Sequence, residues 1–282
     1  MRKSLLVLGF VSLALAGCGS KAAANSTSKP TTTNVGATST TSTSTTAPTT
    51  TTAPTTTTQP GVAPSVATAN YTRSGSSPGY NVSISYPVLG GMTSVASQAS
   101  INTQIISAVA NWANTFVQNV DTVATPAGSQ STSSMTGAFK IELVDPRIVA
   151  IQFVLNEDVA SAAQPNTNIY GLNFNLANGH LYSLSDLFNA GSAYLAALSS
   201  QAISVLTAEL ADQGVPASQL ENDPGLAPAP ANFSAFTIGQ SGLLIGFSQG
   251  QVISTALGAL TATIPYAALT SIINPKGPLA NP

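Results

Sequence analysis

One pentapeptide near the C-terminus has the residue types and the spacing of a hydrolase nucleophile. Gly246-Phe247-Ser248-Gln249-Gly250 fits G-x-S-x-G, the sharp turn that exposes the serine of α/β-hydrolases. Such a serine needs a general base, which is normally a histidine that follows it in the chain. The only histidine, His180, precedes Ser248, and no His-Gly-Gly oxyanion motif is present. The pattern therefore favours a turn of small residues, and His180, next to Asn178-Gly179, is interpreted as an exposed turn residue.

Two short acidic clusters are the other candidates for chemistry. Glu157-Asp158 and Glu221-Asn222-Asp223 lie in segments predicted as loops, and neither has the spacing of a calcium-binding loop. Two carboxylates can also hydrolyse a glycoside, but their separation in space is not readable from sequence. A cell-envelope hydrolase or esterase that uses Ser248 or a carboxylate pair therefore stays the alternative. With one Cys and one His, a Cys/His zinc site is excluded, and neither a metal nor a cofactor is expected.

The single cysteine, Cys18, lies where a lipid-modified cysteine is expected. Arg2 and Lys3 precede an apolar run of about eleven residues, which is too short for a membrane span and typical of a secretory signal. Leu15-Ala16-Gly17-Cys18 resembles a bacterial lipobox, in which the cysteine is acylated and the signal is cleaved before it. The pattern predicts a signal peptide over residues 1–17. It also predicts that Cys18 carries acyl chains such as palmitate and anchors the protein to the lipid bilayer, on the extracytoplasmic face of the cell membrane.

A threonine-rich segment separates Cys18 from the apolar part of the chain. From Thr31 to Thr58, 17 of 28 residues are Thr, and no large apolar residue is present to bury. Residues 18–68 are therefore predicted to form a disordered tether, stiffened by Pro and β-branched Thr. Residues 69–282 are predicted to form a single domain.

The charge distribution excludes one class of partner. Charged residues make up 6% of the chain, and residues 66–282 hold four basic and ten acidic side chains, a formal net charge of −6. Nucleic-acid binding is excluded because it depends on Lys and Arg contacts to phosphates. An acidic domain favours a basic partner instead.

Hydrophobic periodicity predicts an α+β fold. Apolar stripes at helical spacing run from Ile101 to Val120 and from Leu195 to Leu210. Alternating or continuous apolar runs predict strands at Tyr80–Tyr86, Phe139–Val144, Ile148–Leu155, Tyr170–Leu176, His180–Tyr182, Phe233–Ile238, Leu243–Phe247 and Leu260–Ile264. Pro87 is expected to end the first of them, while Asp145-Pro146 and Asn178-Gly179 are turn signals. The expected architecture is a largely antiparallel sheet built from hairpins, with two long amphipathic helices.

Three groups of residues, in this order, resemble a known family. They are Tyr86-Pro87-Val88-Leu89 with Ile101-Asn102, Asn173–Leu176 with Leu184–Phe188, and Gly242–Phe247 with Ile264-Pro265-Tyr266. They are similar to the RsiV-like domain, which is found beside polysaccharide deacetylases and as the sensor of an anti-sigma factor. The resemblance runs from about Tyr71 to Ile273. It implies an α+β fold without catalysis, in a family whose anti-sigma member binds lysozyme.

The resemblance also implies where a partner would bind. The two loops in question are Gln164-Pro165-Asn166 and Gly250–Thr255, and the candidate contacts of the second are Gln251, Ser254 and Thr255. Both loops depart from the residues that the family usually has. The sequence thus predicts a lipid-anchored, non-enzymatic binding protein, and its partner is expected to be a cell-wall glycan or a cationic protein such as lysozyme.

Overall fold

The larger of two sheets follows the order of the chain. The computed structural model describes residues 62–122, 132–160 and 162–280, all of which belong to one compact unit, Thr56–Pro282. Five strands lie in the order β1-β2-β3-β4-β5. Their bounds are Ser65–Ser76, Gly79–Gly90, Ser133–Val144, Ile148–Asp158 and Asn166–Asn175. Neighbours are antiparallel except β2 and β3, which are parallel. The α+β fold with a largely antiparallel sheet is therefore confirmed.

Helix α1, Val95–Thr122, lies in the crossover between the two parallel strands. It buries the predicted apolar stripe against one face of the large sheet, although Ala113 joins the stripe and Trp112 lies at its margin. Trp112 stacks on Tyr170, with 4.4 Å between ring centroids. In the part of the chain that the structure describes, no helix is long and apolar enough to cross a membrane.

Strand β4 contributes side chains to two hydrophobic cores, one on each of its faces. Val149 and Ile151 point into the core under α1, whereas Ile148 and Ala150 point into a second core on the opposite face. All four residues are fully or almost fully buried. A strand covered on both faces reads as a continuous apolar run, and this explains the sequence that begins at Ile148.

The second core is closed by a smaller sheet and two helices. Strands β6 (Phe236–Ile238), β7 (Gly242–Phe247) and β8 (Leu260–Pro265) form an antiparallel meander. Helix α2, Tyr194–Leu210, packs its apolar stripe against them, but Leu206 is buried in the stripe while the predicted Leu195 and Val205 are only partly buried. The short helix α3, Ala217–Glu221, contributes Leu220. The second sheet therefore packs on the face of β4 and β5 that α1 leaves uncovered.

Two asparagine side chains join these elements. Each accepts from a backbone N–H and donates to a backbone carbonyl of a strand, as a neighbouring strand would. The Asn102 amide accepts a hydrogen bond from the N–H of Leu89 at 2.8 Å and donates one to its carbonyl at 2.9 Å, which ties α1 to β2. The fully buried Asn173 accepts from the N–H of Ile238 at 2.8 Å and donates to the carbonyl of Phe236 at 2.9 Å, which ties β5 to β6. Both asparagines belong to the residue groups on which the family resemblance depends.

Three local expectations need correction. Strand β2 does not end at Pro87 but continues to Gly90, because beyond Ile84 it pairs only with β1 and an edge position tolerates proline. The first strand starts at Ser65, so its first four residues lie in the segment predicted as tether. Asn178-Gly179 does form a tight turn, but the predicted strand after it is reduced to a single bridge from Leu181 to Phe174.

Candidate functional site

A cleft of about 770 Å³ lies where four separate segments of the chain meet. The β3–β4 turn, the turn after β5, a short 3-10 segment and the C-terminal segment each contribute part of its wall. The lining residues used below are Arg147, Asn175, His180, Tyr182, Ser185, Asp186, Asn274 and Lys276. The lining therefore combines cationic, carboxylate, amide and aromatic side chains.

The β3–β4 turn fixes the first of these side chains. The Asp145 carboxylate accepts hydrogen bonds from the backbone N–H groups of Arg147 at 2.6 Å and Ile148 at 2.7 Å. Its other oxygen accepts one from the Arg147 guanidinium at 3.2 Å. Half of the Arg147 side chain, 51%, stays exposed. The Asp-Pro turn thus holds an arginine at the rim of the cleft.

Asp186 organises the opposite wall. One of its carboxylate oxygens accepts from the N–H of Ser183 at 2.7 Å and from the Ser183 hydroxyl at 2.8 Å. Nε2 of His180 lies 3.4 Å from the same oxygen. Partial burial opposes ionisation of Asp186, but the hydrogen bonds from Ser183 and His180 outweigh it and lower the pKa of its carboxyl. The carboxylate is therefore ionised, and its charge is directed toward donors of its own chain.

Neutral polar groups complete this part of the lining. The Asn175 amide donates to the Tyr182 hydroxyl at 2.8 Å, and the Tyr182 ring meets His180 edge to face. Burial raises the pKa of the Tyr182 phenol, so the hydroxyl stays protonated at neutral pH. The hydrogen bond and the ring contact hold both side chains in place before any ligand arrives.

The C-terminal segment brings in a second cation. Asn274 donates its N–H to the carbonyl of Leu187 at 2.9 Å, and its side chain accepts from the N–H of Lys276 at 3.0 Å. The backbone of Lys276 is thus held beside the 3-10 segment, while its side chain is exposed. Among the residues that the structure describes, no salt bridge engages Lys276. Two of the four Lys and Arg residues after Ser65 therefore line one cleft, together with the single histidine.

The two loops predicted to contact a partner lie side by side, away from this cleft. Gln249 joins them: its N–H donates to the carbonyl of Thr167, its side-chain oxygen accepts from the N–H of Thr167, and its amide donates to the carbonyl of Thr255. Gln164 and Pro165 are exposed, and Asn166 begins β5.

The candidate side chains of the second loop mostly serve the loop itself. Gln251 accepts from the N–H of Ser248 and donates to the carbonyl of Asn232, while the Ser254 hydroxyl accepts from the N–H of Ala256. Contact of these loops with a partner stays a prediction.

Gly246, Ser248 and Gly250 of the serine pentapeptide each have a structural role. Gly246 lies against Ile169, whose side chain a Cβ at residue 246 would approach to 2.4 Å, and Gly250 has a φ of 77°. The Ser248 hydroxyl accepts a hydrogen bond from the N–H of Ile169 at 3.1 Å. Ser248 lines a cavity of about 210 Å³ beside Trp112, whereas His180 lines the larger cleft. The structure therefore places the serine and the histidine in different cavities.

The acidic clusters do not lie wholly in loops as predicted, since Glu157 and Asp158 end β4 and Glu221 ends α3. Glu157 accepts from the Asn168 amide at 2.9 Å, and burial raises the pKa of its carboxyl against the effect of that bond. Asp223 accepts from the N–H groups of Gly225 and Ile253, both at 2.7 Å, and so joins two loops. Across residues 62–122, 132–160 and 162–280, no group of three or more His, Cys, Asp or Glu side chains could hold a metal ion. Cys18 lies outside the described residues.

The cleft was missed at the sequence level because its residues come from segments more than a hundred positions apart. The scarcity of cations was the one available signal, since Arg147 and Lys276 are half of the Lys and Arg residues after Ser65.

Comparisons with known proteins give a family match and a fold. Residues 185–267 match a family described as "Protein of unknown function (DUF3298)". A DUF3298 family member from Bacteroides fragilis has a similar structure, with 16% identity and a TM-score of 0.59 over 78% of this chain and 97% of that one. A DUF3298 family protein from Pseudomonas aeruginosa has 14% identity and a TM-score of 0.51 over 75% of this chain and 95% of that one. No curated protein matches the chain.

Proposed function

We propose that the chain is a non-catalytic, lipid-anchored binding protein that holds a cell-wall ligand in the cleft between Arg147 and Lys276. The observation that carries the proposal is the lining of this cleft. Its polar side chains are oriented by hydrogen bonds within the protein, and its volume lies in the range of ligand-binding cavities. Side chains that are fixed in advance lose little conformational entropy on binding.

The geometry of Ser248 supports a function without hydrolysis. A serine nucleophile needs a base within hydrogen-bonding reach. The Ser248 hydroxyl instead accepts a bond from the backbone of β5, and His180 lines the other cavity. The neighbouring Gln249 hydrogen-bonds Thr167 and Thr255, and Gly250 allows the positive φ of the turn. The pentapeptide is therefore assigned to the packing of the small sheet against β5.

The proposal is tested first by sedimentation. The full chain, purified in detergent, is mixed with insoluble bacterial cell walls and centrifuged, with cellulose as the control polymer. The chain is expected in the cell-wall pellet and in the supernatant over cellulose. A chain that stays in the supernatant in both cases contradicts the proposal.

Replacing Ser248 with alanine is expected to change stability and not activity. Loss of the bond from Ile169 should lower the free energy of unfolding by about 1 kcal/mol. Neither the wild type nor the variant should react with a fluorophosphonate probe or turn over a short-chain p-nitrophenyl ester. Labelling that disappears in the variant would establish a serine hydrolase.

Replacing Cys18 with alanine tests the anchor. The lipid chains of an acylated cysteine hold a protein on a bilayer, and the lipobox pattern points to this residue. The wild type is expected in the membrane fraction of the expressing cells, and the variant is expected in the soluble fraction. Metabolic labelling with an alkyne-bearing palmitate analogue should mark the wild type alone. An unlabelled wild type, or a variant that stays on the membrane, would overturn the assignment.

A further inference from the structure

We infer that the ligand of the cleft is a carboxylate-bearing saccharide whose acidic group lies between Arg147 and Lys276. This inference rests on the proposed function and adds the chemical class of the ligand. It follows from the charges of the lining, from its neutral polar groups and from the shape of the depression around it.

The cations of the folded part are distributed unevenly. Lys140 forms a salt bridge with Glu142, and Arg73 hydrogen-bonds Asn114 and lies over the Tyr80 ring, all outside the cleft. The other two cations, Arg147 and Lys276, line the cleft. In a domain with a formal net charge of −6, this cleft is the place where the side chains favour an anion.

Two carboxylates near the cleft do not cancel this preference. The oxygens of Asp145 accept from the β3–β4 turn and from Arg147, and the bonded oxygen of Asp186 accepts from Ser183 and lies next to His180. Hydrogen bonds within the protein thus stabilise both carboxylates, while Arg147, which is half exposed, and Lys276, which is exposed, line the cleft. The guanidinium of Arg147 donates to Asp145 and its side chain stays half exposed, and a planar guanidinium suits a carboxylate ligand.

The neutral lining favours a sugar as the carrier of that carboxylate. Asn175, Asn274, Ser185 and Tyr182 supply amides and hydroxyls, which can both donate to and accept from sugar hydroxyls. The rings of Tyr182 and His180 add an aromatic surface. A simple anion would contact only the two cations, whereas a sugar can also contact these hydroxyls and amides.

The shape of the surface favours a chain of sugars over a single one. A second depression of about 310 Å³ shares Pro146 and Ala177 with the cleft and extends to Val62 and Met92. A glycan strand can therefore occupy the cleft with one unit and continue along the neighbouring depression.

The test uses two disaccharides that differ by one lactyl ether group, which carries the carboxylate. N-acetylglucosaminyl-N-acetylmuramic acid and N,N′-diacetylchitobiose are titrated into the full chain in detergent, with binding followed by calorimetry. The carboxylated disaccharide is expected to bind at least about tenfold more tightly, since a charge-assisted contact contributes more than the roughly 1.4 kcal/mol that a tenfold change represents. Its affinity should fall as salt is added.

Matched variants locate the carboxylate. Lys276→Gln, at an exposed position, is expected to weaken binding of the carboxylated disaccharide about tenfold and to leave chitobiose unaffected. Arg147→Lys, which keeps the charge but loses the planar fork, should weaken it as well. Lys140→Gln, on an exposed lysine outside the cleft, is the control and should change nothing.

Several outcomes would overturn the inference, and most of them leave the proposed function intact. Equal affinity for the two disaccharides, or an unchanged affinity in Lys276→Gln, would show that the cleft does not recognise the carboxylate. Displacement of the disaccharide by inorganic phosphate at lower concentration assigns the cations to a phosphate ligand. If neither disaccharide binds while lysozyme does, the partner is a protein, and this outcome contradicts the cell-wall ligand of the proposed function as well. Failure of cell-wall sedimentation, in contrast, removes the proposed function itself.

Discussion

Replacing Asn173 with alanine is expected to lower the free energy of unfolding by about 2–6 kcal/mol. The substitution leaves the buried carbonyl of Phe236 and the buried N–H of Ile238 without partners, and each such group costs about 1–3 kcal/mol. Urea unfolding of the full chain in detergent measures the change. Asn70→Ala, on an exposed asparagine of β1, is the matched control and should stay within about 0.5 kcal/mol of the wild type.

An aspartate at residue 173 tests the two hydrogen bonds of Asn173 individually. Asn173→Asp keeps an oxygen for the N–H of Ile238 but directs a carboxylate oxygen at the carbonyl of Phe236. At neutral pH this variant should be less stable than the alanine variant, because the carboxylate is buried without an opposite charge and one of its oxygens faces a carbonyl oxygen. Part of the loss should return in mild acid, where a protonated carboxyl can donate. An aspartate variant as stable as the wild type at neutral pH would contradict the assigned geometry.

Replacing Gly171 with alanine is the second change with a large expected effect, about 3 kcal/mol or more. A Cβ at this position of β5 would lie 1.9 Å from the carbonyl oxygen of Phe236, and backbone cannot turn aside as a side chain can. The two sheets must separate to make room. Thermal unfolding measures the loss, and Gly90→Ala is the control because its Cβ would meet only the Ser65 hydroxyl, at 3.0 Å.

The two substitutions should not be additive. Gly171→Ala moves β6 away from β5, and that movement already weakens the bonds that Asn173 makes to it. The double variant is therefore expected to lose less than the sum of the two single losses. Full additivity would mean that the two residues do not act on one contact between the sheets.

Elements with a strong local signal could be predicted from the sequence. Three such signals are the apolar stripe of α1, the buried run of β4 and the turn at Asp145-Pro146. Each lies within one short stretch of the chain. Strand β1 had no such signal: most of its residues are small or polar, and more than half of them are exposed. Its position depends on pairing with β2, which no local pattern reports.

The packing of the two sheets could not be predicted either. Asn173 reads as a polar residue in a strand, and nothing nearby shows that its amide will meet the backbone of β6 more than 60 residues later. The same holds for Asn102 and Leu89. The family resemblance included both asparagines but gave no physical role for them.

The candidate cleft was not anticipated from the sequence. Resemblance directed attention to the loops around Asn166 and Gln251, which the structure brings together through Gln249. The charged cleft could not be predicted without the tertiary fold. Arg147 and Lys276 line one cleft because the C-terminal segment is bound beside the 3-10 segment at Leu187.

The agreement between strand order and chain order bears on how the protein can fold. For a chain that emerges N-terminus first, every strand from β2 to β5 finds its neighbour already in place. Three of these four pairings close short loops, and only the β2–β3 pairing must wait for α1. The meander of β6–β8 then docks onto β4 and β5 as the last step. Each newly exposed strand edge is covered by the next segment to appear, which shortens the time in which it can pair with another molecule.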